Sequence, residues 1–251
     1  MAAEKQVVFR VRRYQPQGTK GPHYQDYRVP YLDDMVVLDG LNYIKDNLDP
    51  TLTFRWSCRM GICGSCGMDV NGKPRLTCGT FIKDASPRGI VQVDPLTGFN
   101  SIKDLVTDFD PFMEHFLSVK PWIIRKKDAP LAEGEYLQYP EELEAYRQQS
   151  LCINCTLCYA ACPVFQGNSH FVGPASLAMA LRYIRDTRDE GADERLERLS
   201  TRNGIWECTF VGECSVVCPK EVDPAGAIQS LKVLATMRHM RKLLMPKSAS
   251  R

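Results

Sequence analysis

Residues 152–163, CINCTLCYAACP, and residues 208–219, CTFVGECSVVCP, both end in Cys-Pro and between them hold seven of the chain's eleven cysteines. In the first run two residues separate each of the first three cysteines and three precede the last, a spacing in which two iron–sulfur clusters share one region and the last cysteine ligates the other cluster. That crossover gives Cys152, Cys155 and Cys158 the thiolate of Cys218 and completes a 4Fe-4S site, while Cys162 joins Cys208 and Cys214. The position three after Cys208, a cysteine in the first run, is Val211. An apolar side chain holds no iron, so three ligands without a fourth fit a 3Fe-4S cluster.

Tetrahedral thiolate sites also suit structural zinc. Four cysteines at this spacing closed by proline, with a second Cys-Pro to match, do not resemble a zinc ribbon. A disulfide framework is disfavoured by the odd cysteine count and by a length far above that of small bridged secreted domains.

At 251 residues the chain can form one large or two ordinary domains with proper cores, and 44% hydrophobic against 25% charged residues is ordinary globular composition. A net charge of +2 makes no general case for nucleic acid or membrane. No apolar run reaches the length of a membrane span, and Lys5, Arg10, Arg12 and Arg13 stand where a signal peptide needs its apolar stretch. The expectation is a chain in a reducing compartment, neither secreted nor spanning, with a partner supplying any membrane attachment.

Ahead of these runs, Val7, Phe9 and Val11 alternate with Val8, Arg10 and Arg12, the period of a half-buried strand. A Pro/Gly-rich turn leads to Tyr24–Tyr31, where Tyr27, Val29 and Tyr31 share a face, so the two stretches read as a hairpin with a long loop. Asp39 reads as the cap of an amphipathic helix on Val37, Leu41, Ile44 and Leu48. Cys58, Cys63, Cys66 and Cys78 follow with gaps of four, two and eleven residues, the plant-type 2Fe-2S spacing, interleaved with Gly61, Gly64 and Gly67. Asn71-Gly72 between Met68–Val70 and Pro74–Thr77 signals a tight hairpin, and Ile90–Val93 a further strand. Leu105, Phe109, Phe112 and Phe116 recur at helical spacing as a core stripe, and Lys126–Pro140 reads as a surface connection.

From Glu141 onward helix signals dominate: Glu142–Gln149 before Cys152, Pro174–Arg188 on Leu177, Leu181 and Ile184, and a last helix opened by Asp223-Pro224 and running to about Leu244. No acidic residue follows Asp223, so the tail is basic, which suits anionic lipid, an anchoring subunit or simply a solvated helix end. The fold class is α+β. A β-grasp domain resembling plant-type 2Fe-2S ferredoxins spans 1–105, a connecting helix and linker 106–140, and an all-α domain resembling two-cluster ferredoxins 141–251. No Gly-x-Gly-x-x-Gly opens a βαβ unit, so any flavin or nicotinamide belongs to a partner.

Over nearly its whole length the chain resembles the iron–sulfur subunit of succinate dehydrogenase and fumarate reductase. The residues that carry this are Ser57 to Gly67 (SCRMGICGSCG), Cys152 to Cys155 (CINC) through Ala161-Cys162-Pro163, and Cys208 through Cys218-Pro219-Lys220. The resemblance implies a flavoprotein partner that interconverts succinate and fumarate at FAD, and an integral membrane anchor where electrons reach quinone beside the 3Fe-4S cluster. It implies no substrate-oxidising site on this chain and a peripheral position on the cytoplasmic face of the plasma membrane. For the quinone neighbourhood it points to Pro163, Thr209, Gln229 and Lys232, the last of which reads equally well as a surface cation. The ubiquinone-linked branch has a tryptophan shortly after that proline and a histidine after the next cysteine; here those places hold Gln166-Gly167 and Thr209. Thr209-Phe210-Val211-Gly212 and Phe171-Val172-Gly173-Pro174 resemble the menaquinone-linked fumarate reductase pattern instead, which favours menaquinone. Direction, succinate oxidation or fumarate reduction, depends on potentials that sequence does not fix. The competing readings are an Fe-S subunit of another flavoprotein dehydrogenase or soluble carrier, opposed by the plant-type domain and by Val211, and a nucleic-acid regulator, opposed by the lack of a basic recognition surface.

Overall fold

Val7, Phe9 and Val11 all lie on the buried face of the first strand, and Arg13 follows them inward. The structure, a computed structural model, describes residues 5–18, 21–86, 88–127 and 134–244. In chain order its elements begin β1 (Gln6–Arg13), β2 (His23–Pro30), α1 (Val37–Tyr43), β3 (Gly67–Val70), β4 (Lys73–Leu76), α2 (Ile82–Ala85), β5 (Ile90–Asp94), β6 (Ser101–Lys103) and β7 (Val106–Thr107). Helices follow: α3 (Asp110–Ser118), α4 (Pro140–Glu144), α5 (Arg147–Ser150), α6 (Leu157–Ala160), α7 (Pro163–Gly167), α8 (Pro174–Ile184), α9 (Ala192–Leu199), α10 (Glu213–Val216) and α11 (Pro224–Leu244). Two compact units form: Met1–Pro111 with Ile153–Gln166, and Phe112–Cys152 with Gly167–Arg251.

The first unit is built on a five-stranded sheet of order β2-β1-β5-β3-β4, in which β1 pairs antiparallel with β2 and parallel with β5. A parallel pair needs a long crossover, and the crossover from β1 carries α1 and the cysteine loop. Val37 and Leu41 of α1, with Ile44 just beyond it, close the core over Phe9, Val29, Val91 and Val93, each fully buried apolar side chain contributing roughly 1.5–3 kcal/mol. Gly40 allows the helix to lie this close: a Cβ there would stand 2.2 Å from the Phe9 ring. Asn71 and Gly72, at φ 51° and 74°, make the expected two-residue turn between β3 and β4.

Arg13 turns a cost of burial into a tie. Its Nε donates to Asp104 Oδ1 at 3.0 Å, Nη1 to Asp49 Oδ2 at 2.5 Å and Nη2 to Thr51 Oγ1 at 2.9 Å. Asp104 Oδ2 accepts the Thr53 N–H at 2.9 Å, so strand, loop and β6–β7 turn share one satisfied network. Burial, and next the bond to Asp49, push the Tyr27 hydroxyl up to about 12. The segment Ile153–Gln166 joins this unit through aromatic contacts: Phe99 lies 5.7 Å from Phe165 and 6.3 Å from Tyr159, and those two rings meet edge-on at 4.8 Å.

In the second unit α8 buries Leu177, Ala178 and Leu181, and α11 buries Ala227, Ile228, Leu231 and Ala235. Asp223 caps α11 as expected, its Oδ1 accepting the Gly226 N–H at 3.0 Å. Arg195 of α9 is 2% exposed. It pairs with Asp189 at 2.7 Å and donates to the carbonyls of Val119, Lys120 and Trp122 at 3.0, 2.9 and 2.7 Å, pinning the loop after α3. Burial would raise the Asp186 carboxyl, but the Arg188 hydrogen bonds outweigh it and hold the group at about 2.

Four local expectations are corrected. Asp39 is the third helical residue, not the cap; its Oδ2 accepts the Val36 N–H at 3.1 Å from inside the first turn. The helix on Val37–Leu48 gives way at Ile44 to a wider π turn, leaving Leu48 exposed. Leu105 and Phe109 precede α3, which starts at Asp110-Pro111 where proline suits a first turn, and Leu105 enters the sheet core. The helix expected over Glu142–Gln149 is interrupted at Tyr146, whose ring is buried and whose hydroxyl reaches Gln138 Oε1 at 2.6 Å. Of the connection Lys126–Pro140, residues 128–133 lie outside the described residues.

Burial decides which ion pairs matter. Arg195→Ala leaves Asp189 charged and buried and is expected to cost about 3–5 kcal/mol, seen as a large fall in the denaturant midpoint. Arg238→Ala, facing Asp193 and Glu197 that are 86% and 72% exposed, should stay within about 1 kcal/mol of the parent protein.

Candidate metal centres

Between Cys58 and Cys63 the chain doubles back through left-handed residues, Arg59 at φ 58° and Gly61 at 68°. That path turns the N–H groups of Met60, Ile62 and Cys63 toward Cys58 Sγ at 3.4, 3.3 and 3.3 Å. These donors, Met60 foremost, favour the thiolate and bring Cys58 down to about 6. Cys78 differs: burial pushes its thiol up to about 11, so a thiolate there needs positive charge close by. Iron meets both conditions, since thiolate is the ligand form and the metal supplies the charge. The loop is secured from the hairpin side, where the N–H and hydroxyl of Thr77 both donate to the Cys66 carbonyl at 3.1 and 3.0 Å. Cys66 and Cys78 are buried and Cys63 is exposed, so the loop has a protein side and a surface side. On the surface side Trp56, Met60 and Ile62 are exposed, with Arg59 over the Trp56 ring at 4.7 Å.

The two Cys-Pro runs repeat one backbone path. Two and four residues after Cys152 stand Asn154 and Thr156, at φ 54° and 60°; two and four after Cys208 stand Phe210 and Gly212, at 62° and 86°. Each pair of left-handed residues is followed at once by a one-turn helix, α6 with Cys158 and α10 with Cys214. Cys155 and Val211 are thus the residues that stand between the left-handed pairs, at the same place in the two runs, and Val211 is 56% exposed. Cys218 Sγ accepts the Val222 N–H at 3.4 Å, while Ser215 Oγ donates to Asp223 Oδ1 at 2.6 Å and ties the run to the start of α11.

The family models match in the same order, a 2Fe-2S iron–sulfur cluster binding domain over residues 8–114 and a 4Fe-4S dicluster domain over 148–222. A fumarate reductase iron–sulfur subunit from Mycobacterium tuberculosis is 52% identical over 240 residues, spanning 96% of this chain and 97% of that one. Its counterpart from Haemophilus influenzae is 47% identical, spanning 98% and 100%. A succinate dehydrogenase iron–sulfur subunit from Coxiella burnetii is 35% identical, spanning 90% and 95%. The chain belongs to the iron–sulfur subunits of fumarate reductase and succinate dehydrogenase. The fold agrees: a chain of the Mycobacterium smegmatis Sdh1 complex in the apo form superposes with a TM-score of 0.80 at 28% identity, covering 95% of this chain and 98% of that one.

As a member of this family the chain is an electron-transfer subunit of an oxidoreductase, with a 2Fe-2S domain followed by a 4Fe-4S dicluster domain. Of the four residues singled out for quinone, Lys232 reaches the Cys208 carbonyl at 2.8 Å. Gln229, one turn earlier on α11, keeps a buried Nε2 without a hydrogen-bond partner among the described residues. Thr209 is exposed between Cys208 and Phe210, and Pro163 opens α7. Trp206 and Val216, which the sequence did not single out, are exposed around the second run together with Phe210 and Val211. Among the described residues no helix is long and apolar enough to cross a membrane.

Removing one thiolate tests the Cys58 loop as the seat of the 2Fe-2S centre. Cys58→Ala, which leaves no donor atom at that position, is expected to abolish the 2Fe-2S EPR signal and lower iron content, while iron held by the dicluster region persists. Loss of all iron would show that the centres do not load separately.

Proposed function

We propose that this chain carries electrons between FAD on a flavoprotein subunit and a quinone, menaquinone by preference, at an integral membrane anchor. The ligands are Cys58, Cys63, Cys66 and Cys78 for 2Fe-2S, Cys152, Cys155, Cys158 and Cys218 for 4Fe-4S, and Cys162, Cys208 and Cys214 for 3Fe-4S. In functional terms residues 1–105 bear the first centre, 106–140 connect, and 141–251 supply the ligands of the other two. When bound, such clusters take up and release single electrons at potentials set by cluster type and surroundings. The protein's part is to hold thiolates, direct N–H groups at sulfur and keep apolar surface around each loop. N–H donors such as those of Met60, Ile62 and Cys63 on Cys58 Sγ favour the more negative, reduced state.

The observation that carries this reading is Val211 at the place of Cys155, each flanked by two left-handed residues, which supports a dicluster repeat with one ligand replaced by an apolar residue. Exposed Trp56, Met60 and Ile62 suit docking of the flavoprotein, and exposed Trp206, Phe210, Val211 and Val216 suit the anchor. The anchor in turn accounts for a peripheral position on the cytoplasmic face of the plasma membrane. Identity of 52% and 47% to fumarate reductase subunits against 35% to a succinate dehydrogenase subunit supports quinol:fumarate reduction as the second direction of the same wire.

The complex purified with its partners should couple succinate oxidation to reduction of a menaquinone analogue faster than of a ubiquinone analogue; equal rates remove the quinone preference, and no coupling with clusters present removes the function. Val211→Cys should admit a fourth iron, replace the 3Fe-4S EPR signal, lower that centre's potential and slow quinone reduction. An unchanged signal and potential would mean that the cluster type is set elsewhere.

A further inference from the structure

Gly64, in the first cysteine loop, is buried and has φ +73°. A Cβ on it would lie 2.9 Å from the Ile153 carbonyl oxygen, 3.0 Å from Cys155 Cα and 3.0 Å from Cys155 Cβ. Two of these three atoms are backbone, which does not swing aside as a side-chain end does. Gly67, in the same loop, repeats the contact more gently: its Cβ would meet Leu157 Cδ2 at 3.1 Å and the Cys155 carbonyl oxygen at 3.2 Å. The loop holding Cys63 and Cys66 therefore rests backbone on backbone against the stretch holding Cys155, with nothing larger than hydrogen between them at residue 64. Gly61 supplies the contrast. It is as left-handed, at φ +68°, yet its Cβ would find only Leu76 Cδ1, at 4.0 Å. Gly61 thus answers a turn of the chain, whereas Gly64 answers a turn and a close approach.

From this we propose that Gly64, assisted by Gly67, is a positioning residue that sets the separation of the 2Fe-2S and 4Fe-4S centres and hence the rate at which an electron passes between them. The inference rests on the proposed assignment of Cys63 and Cys66 to one cluster and Cys155 to the next. The step itself is a single electron leaving the reduced centre for the oxidised one, with no proton moved and no bond made or broken. Tunnelling falls exponentially with distance, so any methyl group that lifts the Cys155 backbone off the loop slows it. Position 64 is the place where one methyl group cannot be added without that displacement.

The test compares Gly61→Ala, Gly64→Ala, Gly64→Val and Gly67→Ala in the full complex. Iron and sulfide are first assayed, then the microwave power needed to half-saturate the 2Fe-2S EPR signal is measured with the 4Fe-4S centre oxidised and with it reduced. A nearby reduced cluster speeds the relaxation of its neighbour, steeply with proximity, so the difference between the two powers reports separation without turnover. The expected result is a difference that falls from parent to Gly64→Ala and further in Gly64→Val, with a smaller loss in Gly67→Ala and none in Gly61→Ala. Slower reduction of the 4Fe-4S centre after rapid-mix reduction of the 2Fe-2S centre should accompany it. The parent difference retained in cluster-loaded Gly64→Ala, or an equal loss in Gly61→Ala, overturns the proposal. Should the Gly64 variants fail to load, Gly67→Ala decides, an undiminished difference counting against. A parent protein in which no relaxation difference appears, or with no second cluster, instead overturns the cluster assignment on which the inference stands.

Discussion

A cysteine that is to hold iron must be kept anionic inside a protein, and at Cys58 the backbone does much of that work. Where the chain passes Cys58, left-handed residues aim three N–H groups at one Sγ. Non-glycine residues pay for such conformations, so Arg59, Asn154, Thr156 and Phe210 are held in them by what surrounds them. In the first unit the surroundings are a sheet core closed by α1, the Arg13 network and the Thr77 bonds to the Cys66 carbonyl. In the second unit α11 does the corresponding work, with Asp223 at its start joined to Ser215 and Lys232 one face further on joined to Cys208.

Much of this was legible in the chain itself, for physical reasons that differ by element. The alternation from Val7 to Val11 survives because a half-buried strand has only two faces, and Asn71-Gly72 because few residue pairs accept φ 51° and 74° in succession. Cysteine spacing is the most legible feature, since ligands of one cluster must arrive at fixed intervals. It led to Val211 as the odd residue, and the repeated left-handed pairs flanking it and Cys155 put that comparison on a backbone footing.

What escaped notice was long-range or polar. Arg195 sits in ADERLERL, which reads as a surface helix, yet three backbone carbonyls and Asp189 receive its guanidinium in the interior. Arg13, noted in the sequence only as a charge unsuited to a signal peptide, is likewise buried at the end of β1. Asp39 carried the composition of a cap while lying three residues inside, because an acceptor in the first turn can reach back to the same N–H. Gly64 and Gly67 could be noticed as glycines in a metal loop, but their true neighbours, Ile153, Cys155 and Leu157, are some ninety residues away in the chain, beyond the reach of any local pattern.

The company kept by Ile153–Gln166 has a consequence for dissecting the molecule. A cut between Lys126 and Pro140 would carry this segment away with the carboxy-terminal piece, while Phe99, Phe109 and the bare backbone at Gly64 remained on the other. Each fragment would then display apolar surface that the intact chain never shows. The two halves cannot be traded between relatives like beads on a string; a graft that respects the architecture has to exchange the inserted segment together with the sheet that receives it.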